Sequence, residues 1–469
     1  MFERYRIIHF VGIGGIGMSG IAELLRNLGY EVTGSDLNES QTTKRLQTLG
    51  IKIYIGHDKK NVDDAHVLVI SSAVKDDNPE VVEARKKSIP VIPRAEMLAE
   101  LARLKYSVLV AGAHGKTTTT SLISTLLTEG NFDPTVVIGG RLKATGKNAV
   151  LGKGEFLVAE ADESDGSFLK LSPTIGVVTN IDREHMDFFK NMDSLKKAFL
   201  EFINKVPFYG ASIVCIENQH IKEILPLIHR KYMTYGFSEE AELRAVNIKK
   251  GFMSVNFDVL HKNKYLGEFK MRLPGVHNVL NGLAAIGCGI TLQMDVDIIR
   301  NALENFSGIQ RRLEFKGEQN GIMIYDDYGH HPAEIKATLR AIKEGIFENL
   351  PSNKKSGSLF VLFQPHRYSR TKDLLDEFSE SFDDADMLFV LDIYPAGEKP
   401  VEGINSQRLV EKIKNKGKNK VLYLQNRQKA AEQISLELKE GDVLLTLGAG
   451  DVWKIGEEIL YILNKKDFR

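Results

Sequence analysis

Tyr106-Ser107-Val108-Leu109-Val110-Ala111-Gly112-Ala113-His114-Gly115-Lys116-Thr117-Thr118 decides the reading of this chain. Its first six residues form an apolar run that predicts a strand. Leu122, Ile123 and Leu126, ahead of Gly130, predict the apolar face of a helix starting near Lys116. Strand, glycine-bounded loop and helix in that order make a phosphate cradle. Backbone N–H groups at the helix N-terminus point at an anion, Lys116 places a point charge on the β- and γ-phosphates, and the Thr117 hydroxyl can reach Mg²⁺. Gly112, Ala113, His114, Gly115, Lys116, Thr117 and Thr118 are therefore the candidate ATP-binding loop. The loop is shorter than the full phosphate-loop pattern, which has glycine where Val110 stands.

Downstream, Phe156 to Ala159 and Ile175 to Thr179 read as strands that each end in a polar turn. Mg²⁺ takes oxygen ligands, commonly one or two carboxylates completed by water and phosphate. Glu160 lies where a strand's carboxyl end would meet the phosphate crevice, and Asp162, Glu163 and Asp165 share its turn. After the next strand, Asn180-Ile181-Asp182-Arg183-Glu184-His185-Met186-Asp187 puts an imidazole at the equivalent strand end. The histidines at 114, 185, 277, 330 and 331 show neither the helical pair nor the cysteine spacing of a zinc site.

Upstream, Ile7 to Val11 predicts a strand followed by Gly12-Ile13-Gly14-Gly15-Ile16-Gly17, a G-x-G-x-x-G turn. A helix with Ile21, Leu25 and Leu28 on one face then ends at Gly29, and Asp36 follows the turn at the spacing of a nucleotide fold. Such a turn lets the backbone approach any diphosphate, so alone it does not separate NAD from a nucleotide sugar. Further strands read at Glu31 to Gly34 and Val67 to Ser71, and Pro90 to Arg94 reads as the start of a connector. Ala245 to Leu273 alternates like antiparallel strands, and Gly275 to Gly287 returns to helix. After Arg311-Arg312 a third series begins, with strands at Ile322 to Tyr325, Leu359 to Phe363, Met387 to Leu391, Val421 to Leu424 and Val443 to Leu447. The expected fold is α/β in three domains. Residues 1–104 form a Rossmann-like domain, 105–311 a P-loop ATPase domain with a mostly parallel sheet, and 312–469 a second Rossmann-like domain.

A chain of 469 residues exceeds what one core organises, which fits three domains. Lys+Arg 62 balance Asp+Glu 62, so no global field recruits nucleic acid or an anionic membrane, and any anion is bound locally. Cys215 and Cys288 stand singly in apolar surroundings, consistent with a reducing cytoplasm. No run approaches the length of a membrane span, and the five glycines between Gly12 and Gly20 mark residues 7 to 22 as strand and turn, not a targeting segment.

The shortened loop Gly112 to Thr118, the turn Glu160 to Asp165, Asn180 to Asp187, Gly275-Val276-His277-Asn278-Val279-Leu280-Asn281, and Arg311-Arg312 occur in the order typical of the Mur ligases. The chain resembles that family along its whole length. His9 to Ala22, Asp326-Asp327-Tyr328-Gly329-His330-His331-Pro332 and Gln364-Pro365-His366-Arg367-Tyr368-Ser369-Arg370 resemble the members that join L-alanine to UDP-N-acetylmuramate. The resemblance implies an N-terminal domain that binds the UDP sugar, a central ATPase, and a C-terminal domain that closes over both and admits the amino acid.

The same resemblance implies that Gly14, Gly15, Ile16, Gly17, Ser35, Asp36, Ser71 and Ser72 line the UDP-sugar cleft. Thr117 and Glu160 would bind one Mg²⁺ and His185 a second. His277, Asn278 and Asn281 would flank adenine, with Arg312 and Asp327 on the nucleotide. Tyr328, His330, His366, Arg367 and Arg370 would face the sugar carboxylate and alanine. Lys116, Glu160, His185, His330 and Arg367 are the candidate catalytic residues. The implied activity is a cytoplasmic step of peptidoglycan precursor synthesis by a monomer or weak homodimer, without nucleic acid or membrane. Leu195-Lys196-Lys197-Ala198 departs from the context in which sister ligases carry a carbamoylated lysine.

Three other readings stand beside this one. A nucleotide-dependent oxidoreductase would explain the turn at Gly12 but not the loop at Gly112, and a phosphate-loop switch would explain the loop but not the turn. A Mur-type ligase for another amino acid differs only in the C-terminal motifs.

Overall fold

The computed structural model describes residues 6–71, 73–139, 149–351, 357–418 and 420–466. Residues 108–111 are wholly buried. The strand Tyr106–Ala111 pairs in parallel with Ile175–Val178 on one side and Phe156–Glu160 on the other, so it has no free edge. A strand covered on every side reads as an unbroken apolar run, which is how it appears in the sequence. These strands lie within a ten-stranded sheet. Its order is Lys264–Met271, Ser254–His261, Leu243–Gly251, Tyr232–Gly236, Ala211–Cys215, Ile175–Val178, Tyr106–Ala111, Phe156–Glu160, Thr135–Val137 and Ala149–Val150.

A separate five-stranded sheet, parallel throughout, has the order Lys52–Ile55, Glu31–Asp36, Ile7–Val11, Val67–Ile70, Val91–Pro93. The order reverses at Ile7–Val11, so the turn leaving that strand sits at the switch point where open α/β sheets take ligands. The helix Ile16–Asn27 follows it. Gly29, at φ +90°, donates its N–H to the Arg26 carbonyl to close that helix. The stretch expected to begin a connector at Pro90 instead completes this sheet: Val91–Pro93 pairs with Val67–Ile70, and Arg94 opens the helix Arg94–Ala102.

The third sheet has the order Glu314–Gln319, Ile322–Asp327, Val443–Leu447, Leu359–Phe363, Met387–Val390, Val421–Tyr423, parallel except for its first pair. Alternate residues of its strands feed two cores. Met323, Tyr325, Val361 and Leu445 pack on one face, and Ile322, Ile324, Leu362 and Leu444 on the other. Glu314–Gln319 was not legible as a strand because it is a polar edge with a register shift between Phe315 and Gly317.

By internal packing the chain divides into two compact units. One comprises residues 1–246, 258–269 and 280–306, and the other 247–257, 270–279 and 307–469. The first unit holds the whole five-stranded sheet and the parallel strands around Tyr106–Ala111. Among the described residues no helix is long and apolar enough to cross a membrane.

Candidate active site

In the first unit, parallel pairing aligns the carboxyl ends of Tyr106–Ala111, Phe156–Glu160 and Ile175–Val178, so their three polar turns meet at one edge. Gly112 has φ +135°, and a Cβ there would collide with Thr179 Oγ1. Gly115 has φ +80°, and a Cβ would lie 2.6 Å from Asn281 Oδ1. Both positions need glycine for backbone and for space. A clamp from the third turn fixes the loop. Asn180 Oδ1 accepts from the His114 N–H at 2.8 Å, Asn180 Nδ2 donates to the His114 carbonyl at 3.0 Å, and Thr179 Oγ1 donates to that carbonyl at 2.6 Å. His114 Nε2 lies 2.8 Å from Asp182 Oδ2. Thr119 Oγ1, on the helix behind the loop, donates to Asn281 Oδ1 at 3.2 Å, so Asn281 stands against both that helix and Gly115.

Lys116, first residue of the helix Lys116–Glu129, sends Nζ to both carboxylate oxygens of Glu163, at 2.8 and 2.9 Å, and to the carbonyls of Gly112 and Ala113. Burial works against its charge, but the carboxylates of Glu163 and Asp162 outweigh it and raise the pKa, so Lys116 stays cationic. Asp162 is likewise opposed by burial yet held below the usual carboxylate range by Lys116 and Arg94. Glu160 accepts the Gly139 N–H at 2.7 Å. Ligand atoms of Glu163, Glu184 and His185 lie within 4.8 Å of one another. Two carboxylates and an imidazole beside a phosphate cradle suit a divalent cation that also binds phosphate oxygens. His185 sits at φ 56°, in the left-handed region, at the head of the short helix Met186–Phe189. Thr117 is buried on the first turn of its helix.

At the switch point of the five-stranded sheet, the Ser35 carbonyl accepts the N–H groups of Gly12 and Ile13 at 2.8 and 3.0 Å, and Asp36 Oδ2 accepts that of Gly14 at 2.8 Å. The Ser35 side chain points away from solvent and donates to the wholly buried Glu80 at 2.6 Å, so Ser35 holds the turn through its backbone. Ser71 Oγ would lie 3.4 Å from a Cβ at Gly12. Gly15 is exposed and Gly17 half-buried beside Ile16, the first residue of its helix. Ser72 lies outside the described residues.

The second unit gathers a further cluster at the carboxyl edge of its own sheet. Arg311 Nε pairs with the wholly buried Asp326 at 3.0 Å, and its other nitrogens donate to the carbonyls of Gly448, at 2.5 Å, and Gly450, at 2.9 Å. The guanidinium carbons of Arg311 and Arg312 lie 5.1 and 5.3 Å from the Tyr328 ring centre. Asp327 accepts the N–H groups of Leu313 and Gly329, both at 2.7 Å, and burial pushes its carboxyl up to about 6. Tyr328, His330, His366 and Tyr394 form a chain of rings with centre spacings of 5.4, 5.9 and 5.6 Å, the last pair stacked. Burial lowers His330 to about 3 and His366 to about 4, so both rings are neutral at physiological pH. His330 Nδ1 faces the Tyr328 carbonyl at 3.1 Å and Glu334 Oε2 at 3.4 Å. Two acceptors there select the tautomer protonated on Nδ1 and leave Nε2 with the lone pair. Arg370 reaches His366 Nδ1 at 3.5 Å, and exposed Arg367 holds φ 71° with its N–H on the Tyr394 carbonyl at 2.8 Å. Asn278 Nδ2 donates to the Pro274 carbonyl at 2.8 Å, and the neighbouring His277 is exposed.

Residues 7–106 match the model of the Mur ligase family catalytic domain, 110–289 the Mur ligase middle domain, and 311–450 the Mur ligase glutamate ligase domain. The UDP-N-acetylmuramate–L-alanine ligase of Geobacter sp. strain M21 is 54% identical over 464 residues, covering 99% of each chain. This chain belongs to the Mur ligase family. The corresponding ligase of Geotalea daltonii is 53% identical, covering 99% of this chain and 100% of that one. Among solved structures, UDP-N-acetylmuramate-alanine ligase from Thermotoga maritima superimposes with a TM-score of 0.83 at 30% identity, covering 98% and 99% of the two chains. A murein peptide ligase from Psychrobacter arcticus, at 23% identity and a TM-score of 0.71, shares the fold over 97% of this chain and 98% of that one. The three-domain α/β architecture with mostly parallel sheets is that of the Mur ligases.

Within this Mur ligase, the loop at 112–118 stands with Asn281, and Glu163 and Glu184 join His185. Tyr328, His330, His366 and Arg370 stand together in the second unit. Several contributors escaped the sequence reading: the Thr179–Asn180 clamp, the Arg311 staple, Tyr394 and Arg94. A polar pair, Thr179-Asn180, closing the apolar strand Ile175–Val178 was the available signal for the clamp. Tyr394 and Arg94 carried no local signal, because their partners are distant in sequence.

Proposed function

We propose that this Mur ligase joins L-alanine to the lactyl carboxylate of UDP-N-acetylmuramate while ATP is cleaved to ADP and phosphate. The setting is cytoplasmic peptidoglycan precursor synthesis by a monomer or weak homodimer. The observation that carries the reading is the phosphate cradle at residues 112–116, with its required glycines and cationic Lys116, in addition to the glycine turn at 12–17. An oxidoreductase leaves that cradle without a task. Asp36, which would meet a ribose in a dinucleotide fold, is engaged by Gly14 of its own turn. The relatives that match over their full length act on UDP-N-acetylmuramate and L-alanine by name.

Gly14, Gly15, Ile16, Gly17, Ser35, Asp36, Ser71 and Ser72 shape the UDP-sugar site in a domain of residues 1–104. Residues 112–118, with Asn281, His277 and Asn278, take ATP, mainly in a domain of residues 105–311. Arg312 and Asp327, in a domain of residues 312–469, are the further nucleotide contacts that the resemblance to the family implies. Thr117 and Glu160 hold one Mg²⁺ ion, and His185, with Glu163 and Glu184 beside it, a second. When bound, the ions neutralise charge on the transferring phosphoryl group.

The lactyl carboxylate is a poor electrophile, so its oxygen first attacks the γ-phosphorus and ADP leaves, giving an acyl phosphate. Lys116 offsets the charge on the phosphates in that step. The neutral amine of alanine then attacks the acyl carbon and phosphate departs. His330, neutral and with Nε2 available, faces the amine beside Tyr328 and His366, while Arg367 and Arg370 pair with carboxylates. Alignment of amine and acyl carbon lowers the barrier by up to roughly 7–11 kcal/mol in well-oriented systems. The test is phosphate release from ATP, Mg²⁺ and UDP-N-acetylmuramate with each of the twenty amino acids. Release that needs L-alanine supports the assignment. Release with another amino acid alone moves the protein to a sister activity, and a response to NADH in place of release would restore the oxidoreductase reading.

A further inference from the structure

The turn at residues 12–17 contains only glycine and isoleucine, so it brings no positive side chain to a diphosphate that carries two negative charges. Backbone N–H groups and the helix N-terminus offer partial charge only. The side chains nearest its glycines are those of Ser71, Val74, Asp36, Thr43, Met18 and Arg94. Among these, Arg94 alone is cationic. Its Nη1 would lie 3.1 Å and its Cδ 3.2 Å from a Cβ at Gly17, so the missing side chain at 17 is what admits the guanidinium over the helix head. Its Nη2 donates to Asp162 Oδ2 at 3.4 Å. Arg94 begins the helix Arg94–Ala102, which is tied to the same region by Glu96 and Lys170 at 2.6 Å.

We propose that Arg94 is a substrate-binding residue whose guanidinium takes the diphosphate of the UDP sugar at Gly17, with Asp162 holding it aimed. The inference rests on the UDP-sugar reading above and names the cation that reading lacked. Arg94 is 26% exposed on its side chain, so three of its five N–H donors can turn to a ligand while Nη2 keeps Asp162. Because Asp162 stands on the acidic turn that also carries Glu160 and Glu163, one guanidinium joins the glycine turn to the phosphate-cradle edge within a single compact unit.

The test is calorimetric titration of the full-length protein with UDP-N-acetylmuramate, UDP and Mg-ADP separately, on wild type, Arg94→Ala and Arg94→Lys. Removing a charge-assisted contact is expected to weaken UDP and UDP-N-acetylmuramate by the same factor, about ten- to hundredfold. Arg94→Lys should recover part of that loss, and Mg-ADP affinity should stay within about twofold, since charged contacts act locally at physiological ionic strength. Unchanged UDP affinity, or an equal fall in Mg-ADP affinity, overturns the assignment. A loss confined to UDP-N-acetylmuramate overturns it as well, because UDP lacks the carboxylate and the anion would then be the lactyl group. Wild-type protein that binds neither uridine ligand would instead sink the reading beneath it. Coincident thermal unfolding of the three proteins shows that the comparison concerns binding.

Discussion

Asn180→Ala removes both side-chain hydrogen bonds that grip the backbone of His114, the 2.8 Å bond from its N–H and the 3.0 Å bond to its carbonyl. Thr179 Oγ1 still donates to that carbonyl, and Asp182 still meets the His114 ring, so the loop loses its register but stays attached. Each net hydrogen bond contributes about 0.5–1.5 kcal/mol, which puts the total near 1–3 kcal/mol. If that energy orders the cradle for ATP, kcat/KM for ATP falls about five- to 150-fold. Asn180→Asp keeps the acceptor and loses the donor, and should fall about halfway on a logarithmic scale. The assay is steady-state phosphate release against ATP at saturating UDP-N-acetylmuramate and L-alanine, with UDP-sugar affinity as the control. ATP parameters within twofold of wild type, or a parallel fall in UDP-sugar affinity, would refute the clamp.

Arg311→Met leaves the wholly buried Asp326 without its cation and three carbonyls of residues 448–450 without a donor. Breaking a buried pair in this way costs about 3–5 kcal/mol, read as a lower urea midpoint, and an unchanged midpoint would show that Arg311 does not staple that loop. His330 gives a pH prediction. Its folded pKa, lowered to about 3, lies below its unfolded value, so the unfolded chain binds the extra proton first. Its contribution to stability is present above pH 6.5, declines as pH falls below that value and is lost once pH passes below about 3. The His330 Cε1–H resonance should accordingly stay at its neutral position from pH 8 down to 5. An inflection near 6.5 would show a solvated ring.

The repeating strand and helix pattern made the architecture legible, because buried parallel strands and glycine-ended helices leave local marks. Tyr106–Ala111 and the loop behind it needed nothing beyond a window of thirteen residues. Val91–Pro93 escaped because three residues that follow Pro90 and end in Pro93 look like a linker, and only pairing with Val67–Ile70 makes them a strand. The site was legible wherever a residue acts on a ligand through its own loop. It was not where a residue acts across the fold. Asn180 reads as part of a turn until His114 is found against it, and Glu163 reads as one of four acids until Lys116 singles it out. Ser35 shows the converse: its type and place fit a ligand contact, yet its hydroxyl turns inward to Glu80 and its carbonyl supports the turn.

The central claim is that amide formation passes through a phosphorylated lactyl carboxylate. Turnover of UDP-N-acetylmuramate labelled with ¹⁸O in that carboxylate, with L-alanine and unlabelled ATP, tests it in one mass-spectrometric measurement. The account predicts that the product gains one alanine residue and that one ¹⁸O atom leaves in inorganic phosphate for every amide formed. Amide product with unlabelled phosphate, or phosphate release without amide, would contradict it.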